Sequence, residues 1–127
     1  MHNNTFQQPT DSELEVLTIL WKYGTSTVRF INDKLNESRK VGYTTTLKIM
    51  QIMFEKKLLI REQEGKSHKY TPAIEENAIQ DRLINKILDS AFGGSASSLV
   101  MQTLGNHKAS SAELDEIRKL IDDLGKK

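Results

Sequence analysis

Hydrophobic residues recur at helical spacing in three successive segments near the start of the chain. The first, TDSELEVLTILWKYG, carries Thr10 and Glu13 at capping-box spacing and ends at Gly24. The second, TSTVRFINDKLN, has a Thr/Ser cap followed by apolar residues three and four positions apart, at Val28, Ile31 and Leu35. The third extends from about Tyr43 to Lys57. The pattern therefore predicts three helices before residue 58.

The segment LLIREQEGKSHKYTP has a different pattern. Strand-forming residues lie on both sides of its EGK tripeptide, and Pro72 ends the run, which predicts a β-hairpin. Three helices followed by a hairpin are the order expected of a winged helix-turn-helix DNA-binding domain, which we assign to residues 10–73. The polar residues 1–9 before it are predicted to be a disordered N-terminus. The predicted fold class is mainly α with a small β-hairpin.

Three further helices are predicted in residues 74–127. The first ends at Gly93-Gly94, SASSLVMQTLG forms the second, and Ser110 with Glu113 begins the third. Helices this short bury their apolar faces poorly alone, so we expect a C-terminal helical dimerisation domain and a homodimer. A monomer whose tail folds back on the winged helix is the alternative. The candidate dimerisation residues are Leu83, Ile87, Phe92, Leu99, Val100, Leu104, Leu114, Ile117, Leu120 and Ile121.

A helical wheel divides the third helix into two sides. The side predicted to pack carries Tyr43, Leu47, Met50 and Phe54, and the side predicted to face outward carries Thr45, Lys48, Ile49, Ile52 and Lys56, with Thr44 at the N-terminal end. Hydroxyl groups, a lysine and apolar atoms at the start of a helix suit the phosphates, base edges and thymine methyls of a major groove. The alternative is that the isoleucines pack against the first or second helix.

Positive charge gathers around this helix although the net charge of the chain is only +1. Residues 39–69 contain eight Lys/Arg against three Asp/Glu. A basic block can be a solvated surface, but here a basic turn precedes the helix and a lysine occupies the hairpin turn, which favours double-stranded DNA as the partner. The candidate DNA-binding residues are Arg39, Lys40, Tyr43, Thr44, Thr45, Lys48, Ile49, Ile52 and Lys66.

Composition excludes several other classes of protein. The chain has no cysteine and its three histidines are scattered, so we expect no metal site and no cofactor. No catalytic triad, paired carboxylates or phosphate loop is present, so we do not expect an enzyme. No apolar run is long enough for a membrane span and the polar segment MHNNTFQQPT lacks the basic-then-apolar pattern of a leader, so we expect a cytoplasmic protein without membrane insertion. A winged-helix module that binds another protein is the alternative function.

Several of these segments together resemble the penicillinase-repressor (BlaI/MecI-type) family of bacterial transcriptional regulators. They are TDSELEVLTILWKYG, YTTTLKIMQIM, EGKSHKYTP and SSAELDEIRKLIDDL, and the likeness covers about residues 10–125. The resemblance implies a homodimer that represses a resistance operon by binding a palindromic operator. It implies that Thr44, Thr45 and Lys48 lie in the recognition helix and Lys66 in the wing. A membrane sensor-protease is a further partner that it leaves open.

The chain departs from the family pattern at a few positions. Many relatives have a basic residue where Ile52 stands, which implies a different operator. Many have a glycine where Lys57 stands, which implies a strained lysine in a left-handed helix cap. The resistance repressors are inactivated by cleavage of an Asn-Phe bond in the fifth helix, and the aligned pair here is Gln102-Thr103. Copper-responsive relatives use a cysteine-rich tail, which this chain lacks.

Overall fold

The structure is a computed structural model that describes residues 8–126, and it confirms the predicted mainly α fold with a small β-hairpin. Residues 1–7 of the predicted disordered N-terminus lie outside the described residues, and Pro9 is buried. The elements in chain order are α1 (Asp11–Tyr23), β1 (Ser26–Thr27), α2 (Val28–Leu35), α3 (Tyr43–Glu55), β2 (Leu59–Glu64), β3 (Ser67–Pro72), α4 (Glu76–Ala91), α5 (Ala96–Asn106) and α6 (Ser111–Gly125).

Helix α1 begins with the predicted capping box. The Glu13 amide donates to the Thr10 hydroxyl oxygen at 3.2 Å, and the Thr10 amide donates to the Glu13 carboxylate at 2.9 Å. The helix ends at Gly24, whose φ of 86° suits a residue without a Cβ. Capping thus fixes both ends of α1, and its apolar face is buried at Val16, Leu17 and Leu20.

Two asparagine side chains hold the turn between α2 and α3. The buried Asn32 amide donates to the Val41 carbonyl at 3.1 Å and to the Thr46 hydroxyl at 2.8 Å. Asn36 donates to the same carbonyl at 2.8 Å, and its side-chain oxygen accepts from the Val41 amide at 3.1 Å. Both N–H donors of the buried Asn32 amide are satisfied, and the exposed Asn36 contacts the same stretch of backbone. The network therefore fixes the backbone that leads into α3.

Helix α3 ends two residues before the predicted Lys57, in a Schellman motif. Lys57 has a φ of 68°, its amide donates to the Phe54 carbonyl at 3.0 Å, and the amide of the buried Leu58 donates to the Met53 carbonyl at 2.9 Å. The left-handed lysine that the family pattern implied is confirmed. Its Cβ costs conformational energy that a glycine would not.

Replacing Lys57 by glycine should therefore raise the free energy of unfolding by about 1 kcal/mol. Lys57→Ala keeps the Cβ, and hence the strain, and should stay within about 0.5 kcal/mol of the wild type. Urea denaturation followed by the fluorescence of the chain's one tryptophan measures both variants. Equal stabilities of the glycine and alanine variants would show that the position stores no strain.

The hairpin forms as predicted and closes through Gly65 and Lys66. Glu64 pairs with Ser67 in register, and Gly65 has the positive φ, 62°, that two-residue hairpin turns require. A third strand, β1, pairs antiparallel with β3 and gives the strand order β1-β3-β2. Sequence analysis missed β1 because a strand of two residues is too short to show alternation.

Helices α1 to α3 and the hairpin surround one hydrophobic core. The hairpin contributes Leu59 and Tyr70, which are both 1% exposed, and α3 contributes Met50 and Met53, which are fully buried. The remaining members are Val16, Leu17, Leu20, Val28, Ile31, Leu35, Val41 and Leu58. The winged-helix part of the chain therefore has its own core.

The chain divides into two compact units at the Asp81–Arg82 bond, eight residues after the boundary that the sequence predicted. The first unit includes the start of α4, where Ile79 is buried. Just before α4, the Ile74 carbonyl accepts a hydrogen bond from the Trp21 indole at 3.0 Å. These interactions explain why the first unit continues past residue 73.

The second unit contains the rest of α4 together with α5 and α6. Gly93 and Gly94 follow α4 with positive φ values of 56° and 81°, as expected of a helix C-terminus. Ser95 caps α5, and Ser110 caps α6 by accepting from the Glu113 amide at 3.1 Å. The three helices predicted in the C-terminal part of the chain are confirmed.

Candidate nucleic-acid interface

The N-terminal half of α3 presents a polar, cationic face to solvent. Thr44, Thr45 and Lys48 are exposed, and Ile52, one turn later, is 37% exposed. On the opposite side, Thr46, Met50 and Met53 are buried. The exposed hydroxyls and the lysine thus lie together on a helix that the core holds firmly.

The helical wheel misplaced several α3 side chains. Ile49, predicted to face outward as a DNA contact, is half-buried against the core, whereas Tyr43, predicted to pack, is 41% exposed. The predicted packed side was centred between Tyr43 and Phe54, but the buried side is centred near Thr46, a rotation of roughly 60°. The wheel missed Thr46 because a threonine looks polar in sequence. Its hydroxyl is satisfied inside the protein by Asn32.

Lys56, also predicted to face outward, is largely buried in an ion pair. Its ammonium donates to both Glu13 carboxylate oxygens, at 2.9 and 2.8 Å, and Glu13 is only 4% exposed. The same carboxylate accepts from the Thr10 amide. Glu13 therefore caps α1 and anchors the C-terminal end of α3 at once.

The basic turn before α3 contains one paired cation. The Arg39 guanidinium donates to both Glu15 carboxylate oxygens of α1, with Nε 3.3 Å from Oε2. This hydrogen bonding holds the pKa of Glu15 below its ordinary value and raises the pKa of Arg39. Lys40 is exposed. Arg39 is thus engaged with α1, which leaves Lys40 as the cation of this turn without a salt bridge among residues 8–126.

The hairpin tip presents a second cation. Lys69 pairs with Glu64 at 3.0 Å, whereas Lys66 forms no salt bridge within the part of the chain that the structure describes. The turn that carries Lys66 is exposed. The predicted wing lysine is therefore available to a ligand.

A groove of about 310 Å³ separates the hairpin from the starts of α2 and α3, and sequence analysis missed it. Arg29 of α2 lines it with its guanidinium carbon 4.8 Å from the centre of the Tyr43 ring. Lys66 and Ser67 line it from the hairpin. The only signal in the sequence was a basic residue two positions after the helix cap Thr27, which is too common to single out.

Apolar side chains remain at the surface of the second unit. None of the residues of α5 or α6, which the structure describes in full, is buried. Five of the predicted dimerisation residues are half-buried, namely Leu83, Phe92, Leu99, Leu114 and Ile117. The other five are exposed, namely Ile87, Val100, Leu104, Leu120 and Ile121. Three exposed apolar residues were not among the candidates: Ile84, Met101 and Leu124.

Residues 8–126 hold neither a metal site nor a membrane span. No group of three or more His, Asp or Glu side chains is arranged to hold a metal ion. None of the described helices combines the length and the apolarity that crossing a bilayer requires.

Comparisons with known proteins match both the winged helix and the whole chain. The penicillinase repressor family model matches residues 9–123. The penicillinase repressor of Bacillus licheniformis is 24% identical over 116 residues, which cover 91% of each protein. The methicillin resistance regulatory protein MecI of Staphylococcus epidermidis is 21% identical over 121 residues, which cover 95% of this chain and 98% of that protein.

Two solved structures match the winged-helix part. The DNA-binding domain of the repressor BlaI has a TM-score of 0.52 and 26% identity, over 60% of this chain and 90% of that one. Monomeric Bacillus licheniformis BlaI in complex with the blaP half-operator has a TM-score of 0.50 and 26% identity, over 57% of this chain and 88% of that one. These matches confirm the winged helix. Because the family model spans most of the sequence, the chain belongs to the penicillinase repressor family, whose members are DNA-binding transcriptional repressors and not enzymes.

Proposed function

We propose that this protein is a sequence-specific transcriptional repressor that binds a palindromic operator as a homodimer. The observation that carries the proposal is the exposed face of α3, where Thr44, Thr45 and Lys48 are free to meet a ligand while the opposite face is buried. The half-operator complex of the related BlaI supports DNA as that ligand.

The chemistry of the α3 face suits base reading in the major groove. A recognition helix contacts base edges with its N-terminal residues, and this is where the threonine hydroxyls and the lysine lie. The exposed apolar side chain of Ile52 can contact a thymine methyl. Ile49 is not part of this set, because it packs against the core.

A palindromic operator requires two copies of α3 related by a two-fold axis. The exposed apolar residues of α5 and α6 supply a surface that a second copy of the chain can cover. The named relatives include a penicillinase repressor and a methicillin resistance regulator, which supports a resistance or stress-response operon as the target.

Thr45→Ala and Lys48→Ala should each weaken binding to the operator while leaving the free energy of unfolding within about 0.5 kcal/mol of the wild type, because both side chains are exposed. The operator is first obtained by selecting duplexes from a random library with the wild-type protein. Fluorescence anisotropy then measures the affinity of each variant.

Met50→Ala is the matched comparison on the same helix. Met50 is fully buried, so its loss should cost about 2–5 kcal/mol of stability. Losses of stability at Thr45 and Lys48 as large as that at Met50 would contradict the assignment of the exposed face. Selection that enriches no sequence would contradict the repressor function and favour a winged helix that binds protein.

A further inference from the structure

The groove between the hairpin and the starts of α2 and α3 has the lining of an anion site. It is lined by two cations, Arg29 and Lys66, and by four hydroxyl-bearing residues, Thr27, Tyr43, Ser67 and Tyr70, with Val28, Leu47 and His68 completing the lining. No acidic residue of the described chain lines it. No carboxylate within residues 8–126 forms a salt bridge with either cation.

Arg29 is held in place without being neutralised. Its guanidinium carbon lies 4.8 Å from the centre of the Tyr43 ring, a cation–π contact that orients the planar group but uses none of its five N–H donors. Such a guanidinium can donate two parallel hydrogen bonds to a phosphate. Because the stacking already restricts the Arg29 side chain, less conformational entropy is lost when those hydrogen bonds form.

The position of the groove indicates which anion it would bind. Tyr43 is the first residue of α3, directly before Thr44 and Thr45, and Lys66 is at the hairpin tip. When a recognition helix enters a major groove and the hairpin contacts the adjoining backbone, the surface between them faces the sugar-phosphate chain.

We propose that this groove binds a phosphodiester of the operator backbone and that Arg29, stacked on Tyr43, is its direct ligand alongside Lys66. The inference rests on the proposed DNA-binding function and adds a contact from α2 that positions α3 on the duplex. It carries no base specificity, since phosphates are the same in every sequence.

The test uses full-length Arg29→Met, which retains an unbranched apolar side chain over the Tyr43 ring but removes the charge. Affinities for the selected operator and for a scrambled duplex are measured by fluorescence anisotropy at several salt concentrations. Arg29→Met should weaken binding to both duplexes by a similar factor, roughly tenfold or more. It should also lower the magnitude of the salt slope by about 0.9 for each bound subunit.

Two further variants control the experiment. Arg29→Lys keeps the charge and should keep the slope of the wild type. Arg61 is also a stacked arginine, with its guanidinium carbon 4.0 Å from the centre of the Phe54 ring, but it does not line the groove. Arg61→Met should therefore leave the slope unchanged.

The possible failures are distinguishable. If the wild type binds the operator and Arg29→Met retains the full salt slope, the phosphate site is wrong while the repressor function stands. A loss confined to the operator would also overturn it, since Arg29 would then read bases. A wild type that binds neither duplex would overturn the repressor function and the phosphate site together.

Discussion

Replacing Glu13 by alanine should lower the free energy of unfolding by about 3 kcal/mol, the low end of the cost of breaking a buried ion pair. Glu13 is 4% exposed and accepts two hydrogen bonds from Lys56 and one from the Thr10 amide. The low end applies because the Lys56 side chain is 21% exposed, so that its ammonium regains some water. Urea denaturation followed by Trp21 fluorescence measures the loss.

Glu15, two residues along the same helix, supplies the matched control. Its pair with Arg39 is exposed, so Glu15→Ala should cost less than about 1 kcal/mol. The pKa of Glu15 is held below its ordinary value of 4.5 by the Arg39 hydrogen bond. The stabilisation by this pair is therefore present above pH 4.5 and is lost as the pH falls through the lower pKa of the folded state. Equal losses for the two variants would contradict the special role of Glu13.

Ile121→Glu should convert the proposed homodimer into a monomer and weaken operator binding by about 100-fold or more, because the two half-sites are then bound by unlinked subunits. Ile121 is 57% exposed in the single chain, so the substitution should leave the helix content unchanged. In a dimer interface the new carboxylate would be buried without a partner, which is costly. Light scattering at tens of micromolar and operator titration measure the two effects.

Lys119→Glu introduces the same carboxylate on the same helix, but on the side opposite the apolar residues, since two positions correspond to about 200°. Lys119 is exposed, so its variant should remain dimeric and bind the operator nearly as the wild type does. A wild-type protein that is monomeric at tens of micromolar would contradict the dimer. Dissociation of both variants would show that charge, and not the apolar face, controls assembly.

Capping residues and apolar periodicity were sufficient to predict the order of the elements. Thr10 with Glu13 marked the start of α1, and Gly93 marked the end of α4, because caps depend on local hydrogen bonds that sequence spacing reveals. The matched family model then agreed with the resemblance read from the motifs. Local sequence signals were therefore sufficient to predict most of the fold.

Interactions between distant segments were not predictable in the same way. Thr46 is buried because Asn32, 14 residues earlier, satisfies its hydroxyl, and the buried side of α3 is therefore centred on Thr46, with Met50 still inside it and Tyr43 outside it. Glu13 was recognised as a cap, but its partner Lys56 lies 43 residues away. Arg29 acquires a candidate role only because α2, α3 and the hairpin meet around it.

In the turn between α2 and α3, the residues that fix the backbone differ from the residues that are exposed to a ligand. Asn32 and Asn36 set the path of the backbone at Val41, so residues 37–40 have no share in the Val41 hydrogen bonds and are exposed. Lys40, like Thr44 and Thr45, is therefore open to sequence change without altering how α3 is mounted, whereas Arg39 is held by Glu15 of α1. Under the proposed function, exchanging these surface residues would change which operator the protein recognises while the backbone that carries α3 stays the same.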